Sequence, residues 1–135
     1  MSKQRWRISF EIWGESFFPS RVPFGFTASH DPGSIGTCGR YRGVPTPYGS
    51  AHYEVPATID RKMAFMHLVD EFEPLLQVLK ENGAERWNVS IGRYYFSQCN
   101  EEYSLEELVL ISRLQCGFAY SAYMITEQEE LELDS

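Results

Sequence analysis

Two histidines, a cysteine and two arginines fall between Ser29 and Pro56, in the stretch SHDPGSIGTCGRYRGVPTPYGSAHYEVP. Cys38 and His52 flank one loop, and a thiol beside an imidazole can act as a nucleophile when nearby charge lowers its pKa. Arg40 and Arg42 could supply that charge. No second motif supports this reading, because the chain has no GxSxG elbow and no other triad signature. The glycines at 33, 36, 39 and 43 match neither GxGxxG nor GxxxxGK[ST], and no helix start follows them to hold a phosphate. Turn geometry accounts for them. His30, Cys38, His52 and Cys99 show no CxxC, HxxxH or HExxH spacing, so neither a metal nor a cofactor is expected.

What remains is a cluster rich in arginine and tyrosine: Arg40, Tyr41, Arg42, Tyr48, His52 and Tyr53. These residue types join apolar area to directed hydrogen bonds and are enriched at binding hot spots. The cluster is read either as the pins that hold a long loop to its sheet or as a contact surface. Glu71 and Glu73, on a helix face, add acidic candidates for a basic partner.

The elements that must position these residues follow from periodicity. In RWRISFEIWGE, Trp6, Ile8, Phe10 and Ile12 alternate with polar residues, which predicts a half-buried strand ended by Gly14. FFPSRVPFGF predicts one short turn of helix at Pro19. AHYEV predicts a short strand closed by Pro56. From Asp60 to Gly83, Phe65, Leu68, Val69, Phe72, Leu75, Leu76 and Leu79 make one helical stripe. Asp60 is the expected N-cap and Gly83 the expected C-terminal stop. Pro74 removes an amide donor inside that stripe, so a kink or break is expected there. ERWNVSIGRYYFS predicts another strand. Ser104 and Glu107 form a capping box for a second helix, whose inward stripe is expected at Leu105, Leu108, Val109 and Ser112, with Ile111 beside it. GFAYSAYMI predicts the last strand, with Phe118, Tyr120, Ala122 and Met124 on one face. Amphipathic strands of this kind predict an α+β domain with a largely antiparallel sheet of about four or more strands and two main helices on one face.

The totals limit the function classes. The chain has 135 residues and a net charge of −7, with 15% aromatic residues. That length predicts one domain with its own core. Five of the charges come from Glu127, Glu129, Glu130, Glu132 and Asp134, which leaves −2 for the rest. The domain is therefore expected over 1–126, with 127–135 as a solvated acidic tail or an arm that meets a basic partner. Nucleic acid is an unsuitable ligand for such a balance. No apolar run is long enough to span a bilayer, and three cysteines without an apolar leader predict a cytoplasmic chain with reduced thiols.

Three stretches resemble the bacterial family named domain of unknown function 4279. FEIWGESFFPSRVPFGF is similar to its opening strand, Gly-acid turn and Pro-containing short helix. PTPYGSAHYEVP falls where that family enters its second strand. FMHLVDEFEPLLQVLKENG resembles its helix, which leads to a strand, a capped helix and a final strand. The similarity covers about residues 6–125, and the glycine-rich segment from Ser29 to Gly43 is an expansion. The resemblance implies a stand-alone cytoplasmic bacterial domain with no catalytic motif to transfer. Small domains of this style often act as immunity proteins. The expected function is thus non-enzymatic: binding and neutralising a toxin that carries a basic surface. The alternative is a sensor of a small molecule or peptide, with a pocket lined by Trp13, Tyr41, Tyr48 and His52. A cysteine enzyme at Cys38 is a third reading.

Overall fold

The structure is a computed structural model, and it describes residues 3–134. Among the described residues seven strands run in chain order: β1 (Lys3–Gln4), β2 (Trp6–Gly14), β3 (Ala28–His30), β4 (Gly49–Glu54), β5 (Arg86–Tyr95), β6 (Phe118–Met124) and β7 (Leu133–Asp134). Four α-helices accompany them: α1 (Ala64–Phe72), α2 (Leu76–Glu81), α3 (Leu105–Arg113) and α4 (Glu127–Leu131). The main sheet has the order β3-β4-β2-β5-β6. Every neighbouring pair is antiparallel except β5 and β6, which are parallel. The α3 crossover explains that exception, since parallel neighbours need a long connection and a helix supplies it. The domain is α+β, as its alternating strands imply.

Strand parity divides the sheet into two faces. Ile8, Phe10 and Ile12 of β2, with Val89 and Ile91 of β5, are buried beneath the helices. The helical stripe supplies Phe65, Leu68, Val69, Phe72, Leu76 and Leu79, all buried. Phe10 stacks on Phe72 with ring centroids 4.3 Å apart, and Phe24 lies 4.7 Å from the same ring. Each such fully buried side chain contributes about 1.5–3 kcal/mol through removal of apolar area from water. The stripe does break at Pro74. A 3-10 turn over Glu73–Leu75 separates α1 from α2, and both halves keep the same buried face. Asp60 caps a 3-10 turn that leads into α1, accepting from the Lys62 amide at 2.9 Å. Gly83 ends α2 with φ +95°, and a Cβ there would meet the Ser16 carbonyl. It therefore permits both the left-handed turn and the close passage of the β2 exit.

Three elements depart from the pattern expected of them. In α3 the capping box forms as predicted, but the inward face is the other one. Ile111 and Leu114 are buried and Glu107 and Leu110 half-buried, whereas Leu105, Leu108, Val109 and Ser112 face solvent. Two interdigitated stripes compete in this helix. Ion pairs from Glu107 to Arg61 (2.6 Å) and from Arg113 to Glu73 (2.8 Å) go with the less apolar stripe turned inward. The acidic tail also departs from expectation. Thr126 and Glu129 form a second capping box that starts α4, Glu130 pairs with Arg5 at 2.6 Å, and β7 lies parallel to β1. Ser135 lies outside the described residues. Finally, β3 is a short strand that the alternation of Ala28–His30 is too brief to announce.

Candidate functional site

Helices cover one face of the sheet, and the opposite face is open. Register sets the residues there in rows. Across one end run His30, Ser50, Trp13 and Arg86; beside them lie Ala28, His52, Glu11 and Asn88. Farther along, Arg7, Ser9, Glu54, Ser90, Gly92 and Tyr94 continue the face. The middle is floored by small side chains and its margins carry aromatic and charged ones.

The end row is built by the loop between β3 and β4. Backbone bonds fold this excursion on itself: Gly33 N–H donates to the Thr46 carbonyl (2.7 Å), Thr46 N–H to Ser34 (2.8 Å) and Gly43 N–H to Gly36 (2.8 Å). The loop is fastened to the body at His30 and Asp31. His30 Nε2 is 2.9 Å from Ser50 Oγ, and its Nδ1 is 3.4 Å from the hydroxyl of buried Thr46. Asp31 accepts from the Ser20 hydroxyl at 2.5 Å, and that bond holds its carboxyl below the ordinary range. Arg40 and Arg42 are exposed, so the pins are His30, Asp31 and Thr46 rather than the arginines.

Held in this way, the loop carries Tyr48 and Tyr41 to the end row. Tyr48 lies 5.9 Å from Trp13, 5.4 Å from His30 and 5.9 Å from Tyr41, measured between ring centroids. The Arg86 guanidinium sits 4.9 Å from the Trp13 ring, and Arg40 sits 5.6 Å from the Tyr41 ring, both within cation–π range. A groove of about 480 Å³ opens beside them, lined by Glu11, Trp13, Tyr48, Ser50, His52 and Arg86 among others. His52 Nδ1 is 3.4 Å from Glu11, which also accepts from Ser90 at 3.2 Å.

The structure thus gathers Arg40, Tyr41, Tyr48 and His52 on one surface. Arg42 lies on the same loop. Tyr53, Glu71 and Glu73 belong elsewhere. Tyr53 faces the helices, next in register to Phe10, with its ring 5.4 Å from Phe72 and its hydroxyl 2.7 Å from His67 Nε2. Burial pushes its pKa up. Glu71 is exposed on α1, and Glu73 is committed to Arg113, which holds its carboxyl below the ordinary value. Adjacent positions on a strand point to opposite faces, which separates Tyr53 from His52. Arg86, Glu11 and His30 join the surface through register. The polar parity of Arg86 and Glu11 was legible, but the strand that carries His30 and the pairing that brings the three together were not.

The chemistry open to this site can be read from its partners. Cys38 lines an adjoining hollow with Arg40 and Tyr41, while His52 lines the groove beside Glu11, and Trp13, Tyr48 and Arg86 border both. On this surface, a hydroxyl and an imidazole meet at Ser50 and His30, 2.9 Å apart. Behind that imidazole stands the Thr46 hydroxyl, where a hydrolytic triad places a carboxylate. Asp31 directs its carboxylate to Ser20 instead. Among the described residues no group of three or more His, Cys, Asp or Glu side chains could hold a metal ion, and no helix is long and apolar enough to cross a membrane. No family model matches the chain, and neither a curated protein nor a solved structure matches it.

Proposed function

We propose that this protein is a non-enzymatic binding domain that captures a partner protein on its open sheet face, as an immunity-type inhibitor of a bacterial toxin. The observation that carries this reading is the continuous run Arg86–Trp13–Tyr48–Tyr41–Arg40 at one end of the face. Tryptophan and tyrosine dominate hot spots because each buries a large area and loses few rotamers for it, and arginine because its planar guanidinium stacks and donates several directed hydrogen bonds. The loop backbone and the His30–Thr46–Asp31 fastening preorganise these rings, which lowers the entropy cost of docking. The net charge of −7 would speed encounter with a basic toxin. The resemblance noted above and the cytoplasmic setting it implies belong to the same reading. Co-expression with the product of the adjacent gene tests it. A stoichiometric complex is expected, and a neighbour that is not a toxin and does not bind removes the support.

A second reading rests on the groove of about 480 Å³. Its volume suits a small ligand, with Trp13 and Tyr48 as walls and Glu11, Ser50 and His52 as polar contacts. A thermal-shift screen tests it, since a ligand that binds only the folded chain raises the melting temperature.

A further inference from the structure

The two edge strands of the main sheet differ in length: β3 has three residues and β6 has seven. β6 is an outermost strand, and all seven of its residues are exposed. Val89 N–H donates to the Gly117 carbonyl and Ile125 N–H to the Tyr95 carbonyl. In a parallel ladder these bonds assign the odd-numbered residues of β6 to β5. The backbone N–H and C=O groups of Phe118, Tyr120, Ala122 and Met124 consequently point off the edge. The strand reads FAYSAYM, with no charge and no proline, so it has none of the devices that keep an edge from pairing.

An apolar helical stripe lies on the same flank. Leu105 is 77% exposed, Leu108 and Val109 are exposed with it, and Met124 at the end of β6 is 72% exposed. Tyr103, just ahead of α3, joins the two elements, with its ring 5.2 Å from Phe118 and 6.5 Å from Tyr120. The Tyr120 hydroxyl is 3.0 Å from the Cys99 sulfur, which fixes its ring at the rim.

From these features we infer that β6 and the outer stripe of α3 form an isologous dimer interface, occupied by a second copy of this chain. Three observations favour a second copy. First, antiparallel pairing of two β6 strands about a two-fold axis beside Ser121 sets each Tyr120 opposite an Ala122, a large side chain against a small one. Second, the same axis brings α3 toward its symmetry mate, so that strand edge and helical stripe are covered together; a single extended peptide would cover only the edge. Third, the chain exposes 8435 Å². A compact monomer of 15.6 kDa exposes about 7,200 Å². That surplus is of the order of the roughly 800 Å² per partner that a stable interface removes. Trp13 lies on β2 and Tyr48 just ahead of β4, two and three strands from β6 in the sheet order, so the dimer leaves both binding faces open.

Sedimentation equilibrium of the full chain tests the assignment. The wild type is expected at twice the 15.6 kDa chain mass. Ala122→Pro removes an amide that points off the edge and leaves the β5 ladder intact, and it should yield a monomer with an unchanged circular dichroism spectrum. Val109→Glu places a charge in the helical stripe and should also yield a monomer; it decides the matter if Ala122→Pro fails to fold. A wild-type chain that stays monomeric up to about 1 mM overturns the inference. A dimer that survives Val109→Glu, or survives a folded Ala122→Pro, overturns it as well.

Discussion

The two ends of the sheet are finished in different ways. At the β3–β4 end, Phe24, Phe26 and Tyr53 gather around Phe72 on the helix side, and a folded loop fastened at His30 and Asp31 borders the open face on the other. At the β6 end, both faces of the last strand are exposed and the helix beside it turns leucines outward. The first end completes itself, and its half-buried rings are held in place by the fastening at His30, Asp31 and buried Thr46. The second has an unpaired backbone and unburied apolar area, which are the marks of an assembly surface. Aromatics outside the core therefore carry different meanings at the two ends: a preorganised contact at one, an unfinished core at the other.

The largest effect that would sharpen this contrast is a pair of truncations. Phe72→Ala should cost about 3–5 kcal/mol, because it empties the aromatic core of the closed end. Phe118→Ala, at a residue 39% exposed, should cost the isolated protomer only about 1–2 kcal/mol. Urea unfolding at low protein concentration measures both, and equal costs would erase the distinction between the ends.

A smaller effect concerns the joint between α1 and α3. Burial works against ionisation of Glu107, yet hydrogen bonds from Arg61 and from the Ser104 amide prevail and its pKa lies below the ordinary carboxylate value. A depressed native pKa contributes stability above the unfolded pKa, and this is lost as pH falls through the native one. The urea midpoint should therefore drop below about pH 5, and Glu107→Gln should flatten that drop while lowering the plateau at neutral pH. An unchanged profile would mean that the ion pair does not orient α3.

The smallest effect is expected at the tail. Glu130→Gln removes the pairing with Arg5, a partly exposed contact of the kind that contributes little to global stability. The melting temperature should hardly move, while limited proteolysis within residues 127–134 should accelerate. Unchanged cleavage would show that the α4 capping box and the β1–β7 pairing suffice to hold the segment.

How far these features were legible in the sequence depended on how local their causes are. β2 and β5 declared themselves, because burial on one face imposes a strict alternation. The break at Pro74 and the cap at Ser104 follow from single residues and their immediate neighbours. The face of α3 was misread because Leu105, Leu108 and Val109 outweigh Leu110, Ile111 and Leu114 only when packing partners are ignored. Arg61 and Glu73, distant in sequence, pair with the helix as it lies in the fold. The tail was misread on composition, which is blind to the Thr126 cap and to the Arg5 partner. At the site, Tyr48 and His52 were legible as residue types within a glycine-shaped loop. Tyr53 was misplaced because a one-residue step on a strand reverses the face. Arg86 and Glu11 required the register of three strands.

The central claim is that the open face binds a protein through its aromatic and arginine row. Calorimetric titration of the adjacent gene's product into the wild type and into a Trp13→Ala/Tyr48→Ala variant tests it most directly. The account predicts that the variant stays folded and binds at least about 30-fold more weakly, as loss of a hot spot worth 2 kcal/mol or more requires. Equal affinity for the two proteins, or no binding by the wild type, would contradict it.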